Sequence, residues 1–437
     1  MDFFDRYFAY VDNTEPPKIF HLWSLLAGIS AMAGRNIKFV NGPLVTHANL
    51  YVMLIGHPGT RKSTSIKMVK RVMKAAGYRT FAADRSTKQK FLLDLEAGFD
   101  FDAGAEGAGT NGKKADFTEA DISELLKGEL AKLGSETSNL PSRLGPHEVF
   151  VAADEFNDFF GLGNVEFASL LGVLWDIDDI YSDRLKNSKS VHITEPTVSI
   201  LGGNTFEGFK LAFPPELLGQ GFMSRLVLVH GEPSGKKITF LDKEDEAEKE
   251  TLANFMRAIR GHSVGAVSLE GPAADTLHSI YQGWKDLDDS RFRYYSTRRF
   301  QQLIKICLVL VMSRLGNSLD KEIVLLANTL LTYTELSMPK ALGEYGKSKT
   351  SEAAHKIMDI LDHATAPVGF KDIWSQLIND MEKQPDLVNL LAGLAEAGKI
   401  QRVGQGFLPK RKSVLHNLDL SYVDFKLMDK FGLAAPF

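Results

Sequence analysis

Gly56-His57-Pro58-Gly59-Thr60-Arg61-Lys62-Ser63-Thr64 is the stretch on which the reading of this chain turns. The apolar run from Leu50 to Ile55 precedes it and reads as a strand. The run after it, Thr64 to Ala76, reads as a helix. Strand, glycine-bearing loop, Lys-Ser and helix is the layout of a phosphate-binding loop. Backbone N–H groups of such a loop point inward, and the helix N-terminus adds positive potential, so a polyphosphate is held there. Gly56, Pro58, Gly59, Thr60, Arg61, Lys62, Ser63 and Thr64 are the candidate nucleotide-binding residues. Lys62 would reach the outer phosphates, and the Ser63 hydroxyl would sit on Mg²⁺. One position departs from the usual G-x-x-x-x-G-K-[ST] spacing, because Arg61 stands where glycine is expected. Its side chain is long enough to reach phosphate or a neighbouring subunit.

Outward from the loop, the pattern alternates strand and helix. Strands are expected at Leu50–Ile55, Tyr78–Ala83, Val149–Ala153, Thr197–Gly202 and Leu226–His230, with helices between them at Thr87–Glu96, Ile122–Leu133 and Phe167–Trp175. Five short apolar strands separated by helices argue for a parallel α/β sheet. Gly98 to Phe117 is rich in Gly, Ala and Asp and reads as a flexible insertion. Residues 1–47 read as a helical segment, with Ile19, Trp23, Leu26, Ile29 and Met32 at helical spacing. After residue 235 the strands stop, and four helices form a lid over 236–346. Residues 347–412 offer three short helices and a small hairpin, which describes a winged helix. Its third helix carries Asp386 and Glu396 and no basic residue before Lys399, so protein contact and DNA contact both remain open. Residues 413–437 form a nondescript tail.

The second half of a nucleotide hydrolase follows in Val149-Phe150-Val151-Ala152-Ala153-Asp154-Glu155. Asp154 would hold the Mg²⁺ shell with Ser63, and Glu155 would orient and deprotonate the attacking water. The strand layout is expected to make these acids and the phosphate loop neighbours. Asn204, at the tip of the strand beside the acidic one, would contact the water and the γ-phosphate; the plain alternative is a helix cap. Arg225 opens the strand Leu226–His230 and could stabilise charge on a neighbouring subunit's γ-phosphate. Its alternative is a surface arginine in an intramolecular salt bridge. Arg184, Lys186, Lys189 and His192 lie on an expected hairpin with a polar tip, a pattern that suits a nucleic-acid backbone or a solvated turn. Arg298 and Arg299 open a helix, and Arg298 could fold onto nucleotide; Arg291, Arg293, Arg298 and Arg299 could equally be a solvated cluster.

Bulk composition sets limits on these readings. The 437 residues carry 44% hydrophobic and 24% charged side chains and a net charge of -4. A nucleic-acid site must therefore be local rather than global. The single cysteine, Cys307, lies in the apolar run Leu303–Met312, which excludes a disulfide framework within the chain. The N-terminus lacks the pattern of a signal peptide, and no apolar run approaches the ~20 residues that span a bilayer. The expectation is a soluble, cytoplasmic protein without membrane contact, in a bacterial host cell if phage-encoded.

Taken together, these parts resemble the AAA+ ATPase modules of phage and plasmid replicative helicases that are found with primases. The resemblance runs from the Trp23 region and Asn49-Leu50-Tyr51 through the Lys62 loop and Asp154-Glu155-Phe156 to Gly221-Phe222-Met223-Ser224-Arg225. It implies a P-loop NTPase fold of AAA+ type, with ATP and Mg²⁺ as cofactors. It also implies a ring, a hexamer, that translocates on single-stranded DNA in replication with a separate primase or loader. The Arg184–Lys189 hairpin sits where superfamily III and minichromosome-maintenance helicases carry a DNA-gripping hairpin. Thr297-Arg298-Arg299-Phe300 is similar to the sensor-2 helix of the latter, which implies that role for Arg298. Two rival readings are a nucleotide-switched loader, transposition or defence ATPase that does not unwind DNA, and a pseudo-ATPase crippled at Arg61.

Overall fold

The computed structural model describes residues 2–98, 147–177, 179–183, 190–214, 217, 221–285, 287, 290–342, 349–362, 364, 366–378, 381, 383–396, 398–409 and 419–434. The expected helix Ile122–Leu133, the insertion beyond residue 98, and Arg184, Lys186 and Lys189 lie outside these residues.

The chain starts with helices α1 (Phe3–Val11) and α2 (Lys18–Ala33). Every residue of α2 from Ile19 to Ala33 is buried. A helix that is apolar all round must be enclosed, and α2 packs against the sheet and its flanking helices. Gly28 allows the closest approach, since a Cβ there would lie 2.6 Å from Val69 Cγ2. The helical reading of residues 1–47 gives way after Gly34 to a hairpin, β1 (Ile37–Asn41) and β2 (Leu44–His47), turning at Gly42 with φ +58°. A short apolar stretch that alternates buried and half-exposed positions favours a strand there over a third helix.

The central sheet follows. Strand β3 (Tyr51–Ile55) runs into the quoted loop and α3 (Lys62–Ala75), and α4 (Lys88–Ala97) comes next. Beyond the undescribed stretch lie β4 (Glu148–Ala153), α5 (Phe156–Phe160) and α6 (Val165–Leu174). A hairpin, β5 (Ile180–Asp183) and β6 (Val191–Thr194), leads into β7 (Thr197–Asn204), α7 (Phe206–Ala212) and β8 (Leu226–His230). Strands β4, β7, β3 and β8 form an all-parallel sheet in that order. All residues of the four strands are buried, as a parallel sheet covered on both faces requires. The expected strand Tyr78–Ala83 reduces to one parallel bridge, Phe81 to Phe150, at the β4 edge. Strand β7 lies between β3 and β4, so the strand that ends in Asn204 is beside the acid-bearing strand, as expected.

Helices α8 (Glu246–Gly261), α9 (Gly271–Gly283), α10 (Arg293–Ser296), α11 (Arg299–Ser313) and α12 (Lys321–Leu342) complete the main body. They share one hydrophobic core with the sheet and with α1 and α2. Arg299 is not part of a solvated cluster. Its Nε donates to Glu335 Oε1 at 3.0 Å, its Nη2 donates to Asn328 and Thr332, and its guanidinium lies 3.8 Å from the Trp284 ring centre. Burial pushes the Glu335 carboxyl up, against the pull of Arg299 and Tyr295. Helices α11 and α12 are thereby joined by a buried, hydrogen-bonded ion pair. Cys307 on α11 is a buried thiol, and burial raises its pKa.

Residues 349–409 form a second unit: α13 (Lys349–Asp362), α14 (Phe370–Leu377), α15 (Gln384–Glu396), and a small antiparallel sheet in which Gly406–Pro409 pairs with both Val368–Gly369 and Ile400–Val403. Its core, from Ile357 and Leu361 to Leu394 and Ile400, is separate from the main one. The tail is more than nondescript. Residues 419–434 return to the main body, where Phe431 meets Phe4 edge-on at 5.3 Å and Asn328 donates to the Tyr422 carbonyl. Among the described residues no helix is long and apolar enough to cross a membrane.

Candidate functional site

The quoted loop crosses from the C-terminal end of β3 to the N-terminus of α3. Gly56 is buried where a Cβ would meet the Gly231 carbonyl at 2.8 Å, so only glycine fits. His57, Pro58 and Gly59 are exposed, and Thr60 is buried. Gly59 has φ +86°, the left-handed region that favours glycine. Arg61 also adopts this region, with φ 61° and ψ 29°. The position before the lysine thus has the backbone geometry that usually selects glycine, and an arginine occupies it. Its side chain, more than half exposed, turns to Glu15. Arg61 Nε donates to Glu15 Oε2 at 2.6 Å, and Glu15 Oε1 accepts from the Ile238 amide at 2.9 Å. These bonds hold the Glu15 carboxyl below its usual range.

Lys62 folds back over the loop. Its Nζ donates to the Gly56 carbonyl at 2.9 Å, the His57 carbonyl at 3.2 Å and Thr60 Oγ1 at 3.2 Å. Burial lowers its pKa, and the nearby Glu155 carboxylate opposes that shift. The ammonium is therefore held at the mouth of the loop by neutral acceptors. An anion with stronger acceptor oxygens can replace these partners. Ser63 and Thr64 occupy the first turn of α3, half-exposed.

The sheet order brings the remaining candidates to the same edge. Ile55, the last residue of β3, pairs with Asn204, the last of β7. Ala153 pairs with Gly202, so Asp154 and Glu155 leave β4 beside Gly203 and Asn204. Gly203 lies so close that a Cβ would meet the Asp154 carbonyl at 2.6 Å. Asn204 is buried; its Nδ2 donates to Asn157 Oδ1 at 2.7 Å, and its Oδ1 accepts from the Thr205 amide. Glu155 is exposed and is the N-cap residue just before α5. Asp154 is half-exposed and pairs with Lys67 at 3.1 Å. A hydroxyl and one carboxylate, Ser63 and Asp154, suit Mg²⁺, which keeps several waters and uses few protein ligands beside substrate phosphates. Phe156 and Phe160 of α5 stack with Phe213 and Phe222, which anchors the helix that follows the acidic turn.

Other candidates do not join this cluster. Arg225 precedes β8, whose first residue Leu226 pairs with Tyr51 at the start of β3, so it lies at the opposite end of the strands from the loop. It forms the intramolecular salt bridge that was its alternative, Nη2 to Asp176 Oδ2 at 2.8 Å. Arg298 shares that carboxylate, at 3.4 Å, and bonds Gln301. It does not fold over the loop of its own chain. His192 lies on β6, exposed, with its Nδ1 2.9 Å from Ser182 Oγ.

Sequence reasoning missed Lys67, Asn157 and Glu15 as neighbours of the site, along with His230. His230 ends β8 opposite Ile55 and is buried, and burial lowers its pKa. For Asn157 the signal was available in its place two residues after Glu155. Its partners, Asn204 and the Gly208 carbonyl, come together only in the folded sheet. No protein-family model matches the chain. No curated protein matches it at a significant level.

Proposed function

We propose that this chain is an ATP hydrolase of the AAA+ type of P-loop NTPase that works as a ring on single-stranded DNA, as a helicase or translocase. One observation carries the reading: the parallel order β4–β7–β3–β8 sets Asp154-Glu155, Asn204 and the Lys62 loop on adjoining strand ends. Arg225 stands at the far end of the strands, out of reach of its own loop. In this reading the loop amides and Lys62 hold the β- and γ-phosphates once Lys62 leaves the Gly56 and His57 carbonyls. A Mg²⁺ ion held by Ser63 and Asp154 would neutralise phosphate charge, and Lys67 gives up its pair with Asp154. Glu155, exposed at the edge, takes the proton of the attacking water. Asn204, fixed by Asn157, orients that water. Arg225 meets the γ-phosphate of an adjoining copy, which requires a closed oligomer with head-to-tail contacts, a hexamer by the resemblance. Arg184, Lys186, Lys189 and His192 contact the DNA backbone. The 349–409 unit acts as a winged-helix accessory.

The test is Mg²⁺-dependent ATP hydrolysis by the full chain, with and without single-stranded DNA. DNA should stimulate turnover, and Glu155→Gln should abolish hydrolysis while nucleotide still binds. Lys62→Ala should remove binding. Hydrolysis unaffected by DNA would favour the nucleotide-switched assembly protein, and ATP binding undiminished in Lys62→Ala would sink the assignment of the loop.

A further inference from the structure

Two arginines converge on one oxygen of Asp176: Arg225 Nη2 at 2.8 Å and Arg298 Nη1 at 3.4 Å. Each guanidinium is also held without Asp176. Arg225 Nη1 donates to the Gly221 carbonyl at 2.6 Å, and its carbon lies 5.5 Å from the Trp175 ring centre. Arg298 Nη1 donates to Gln301 Oε1 at 2.8 Å. Arg225 Nε is buried and has no hydrogen-bond partner. The main chain around Asp176 is pinned on both sides. The Trp175 carbonyl accepts from Asn49 Nδ2 at 3.2 Å and from Lys305 Nζ at 3.4 Å, and the Ile177 carbonyl accepts from Arg35 Nη2 at 2.7 Å. The Asp176 side chain is about one-third exposed, so it can swing away while the backbone and both arginines stay. Lys305, Arg35 and Arg225 crowd this place with positive charge, opposed by Asp176.

We propose that Arg225 and Arg298 form a preorganised site for the terminal phosphate of a polyphosphate, and that Asp176 is its internal occupant, closing the site until a phosphate displaces it. A carboxylate and a phosphate present the same kind of oxygen acceptor to paired guanidinia. The identity of that phosphate as nucleotide on an adjoining copy rests on the function proposed above; the anion site itself does not. Asp176 is a positioning residue: it sets the affinity of the arginine pair without touching the reacting atoms. Its presence makes occupancy of the interface depend on phosphate rather than on contact between copies alone.

The experiment uses the full chain carrying Lys62→Ala, so that the loop contributes no anion binding. Inorganic triphosphate is titrated and followed by tryptophan fluorescence, since the Trp175 ring borders Arg225. Asp176→Asn should bind triphosphate roughly tenfold more tightly than this parent, because no internal charge competes. Asp176→Glu should bind as weakly as the parent, and adding Arg225→Ala to Asp176→Asn should abolish the gain. Should Asp176→Asn not fold, Asp176→Ser serves in its place. Equal affinity in the neutralised variant and the parent would overturn the proposal. A wild-type chain that fails to hydrolyse ATP would sink the proposed function and leave this binding result standing, so the two failures are distinguishable.

Discussion

Arg61 tests the backbone reading of the loop most directly. A left-handed conformation costs an L-residue other than glycine roughly 1–2 kcal/mol, and Arg61 pays it at φ 61°. Arg61→Gly removes that cost but adds the larger conformational freedom of glycine in the unfolded chain, roughly 0.4–1 kcal/mol. It also removes the bond to Glu15. Arg61→Ala loses the same bond and keeps the steric cost. In the difference between the two variants the Glu15 contribution cancels, and the glycine variant should be the more stable by about 1 kcal/mol. Urea unfolding of both, followed by far-UV circular dichroism with matched m-values, measures that difference. Both variants should still bind ATP, since no phosphate contact is assigned to the Arg61 side chain. An alanine variant as stable as the glycine variant would show that residue 61 does not hold a positive φ, and the account of why glycine usually stands here would fail with it.

Other consequences follow from the same structure. Lys305 is buried and its pKa is lowered to about 7, chiefly by desolvation. Between pH 7 and its unfolded value of about 10.4 the unfolded chain binds more protons, so stability rises with pH through this window. Unfolding free energies measured at pH 7 and pH 9 should differ by about 2–3 kcal/mol more in wild type than in Lys305→Met; parallel pH profiles would contradict the burial of a titrating amine. Gly203→Ala forces a Cβ against the Asp154 carbonyl, so it should cost roughly 1–3 kcal/mol of stability and lower ATP turnover more than nucleotide affinity. In the proposed ring, Arg225→Ala and Glu155→Gln should each be nearly inactive, with the arginine worth about 10³-fold or more in turnover. A mixture of the two should regain hydrolysis at interfaces that pair an intact Arg225 with an intact Glu155; a mixture as inactive as its parts would place Arg225 outside the neighbouring site.

The sequence alone determined the parts whose signal is local. Loop composition between an apolar strand and a helix marked Gly56–Thr64, and four buried apolar runs marked the strands, because a strand enclosed on both faces must be apolar throughout. Acids at the end of such a strand, Asp154-Glu155, were legible for the same reason. Tertiary structure decided the rest. Strand order is set by which faces and edges pair across long separations, so the insertion of β7 between β3 and β4 had no local signal. The hairpin at Ile37–His47 and the returning segment 419–434 were hidden because their burial depends on distant partners, the Gly265–Ala266 strand and helices α1 and α12. The oddity at Arg61 was visible in the chain, yet its meaning was not. Whether arginine is tolerated there depends on a positive φ and on Glu15, a residue brought to the loop from the segment between α1 and α2 only when the sheet and its covering helices pack.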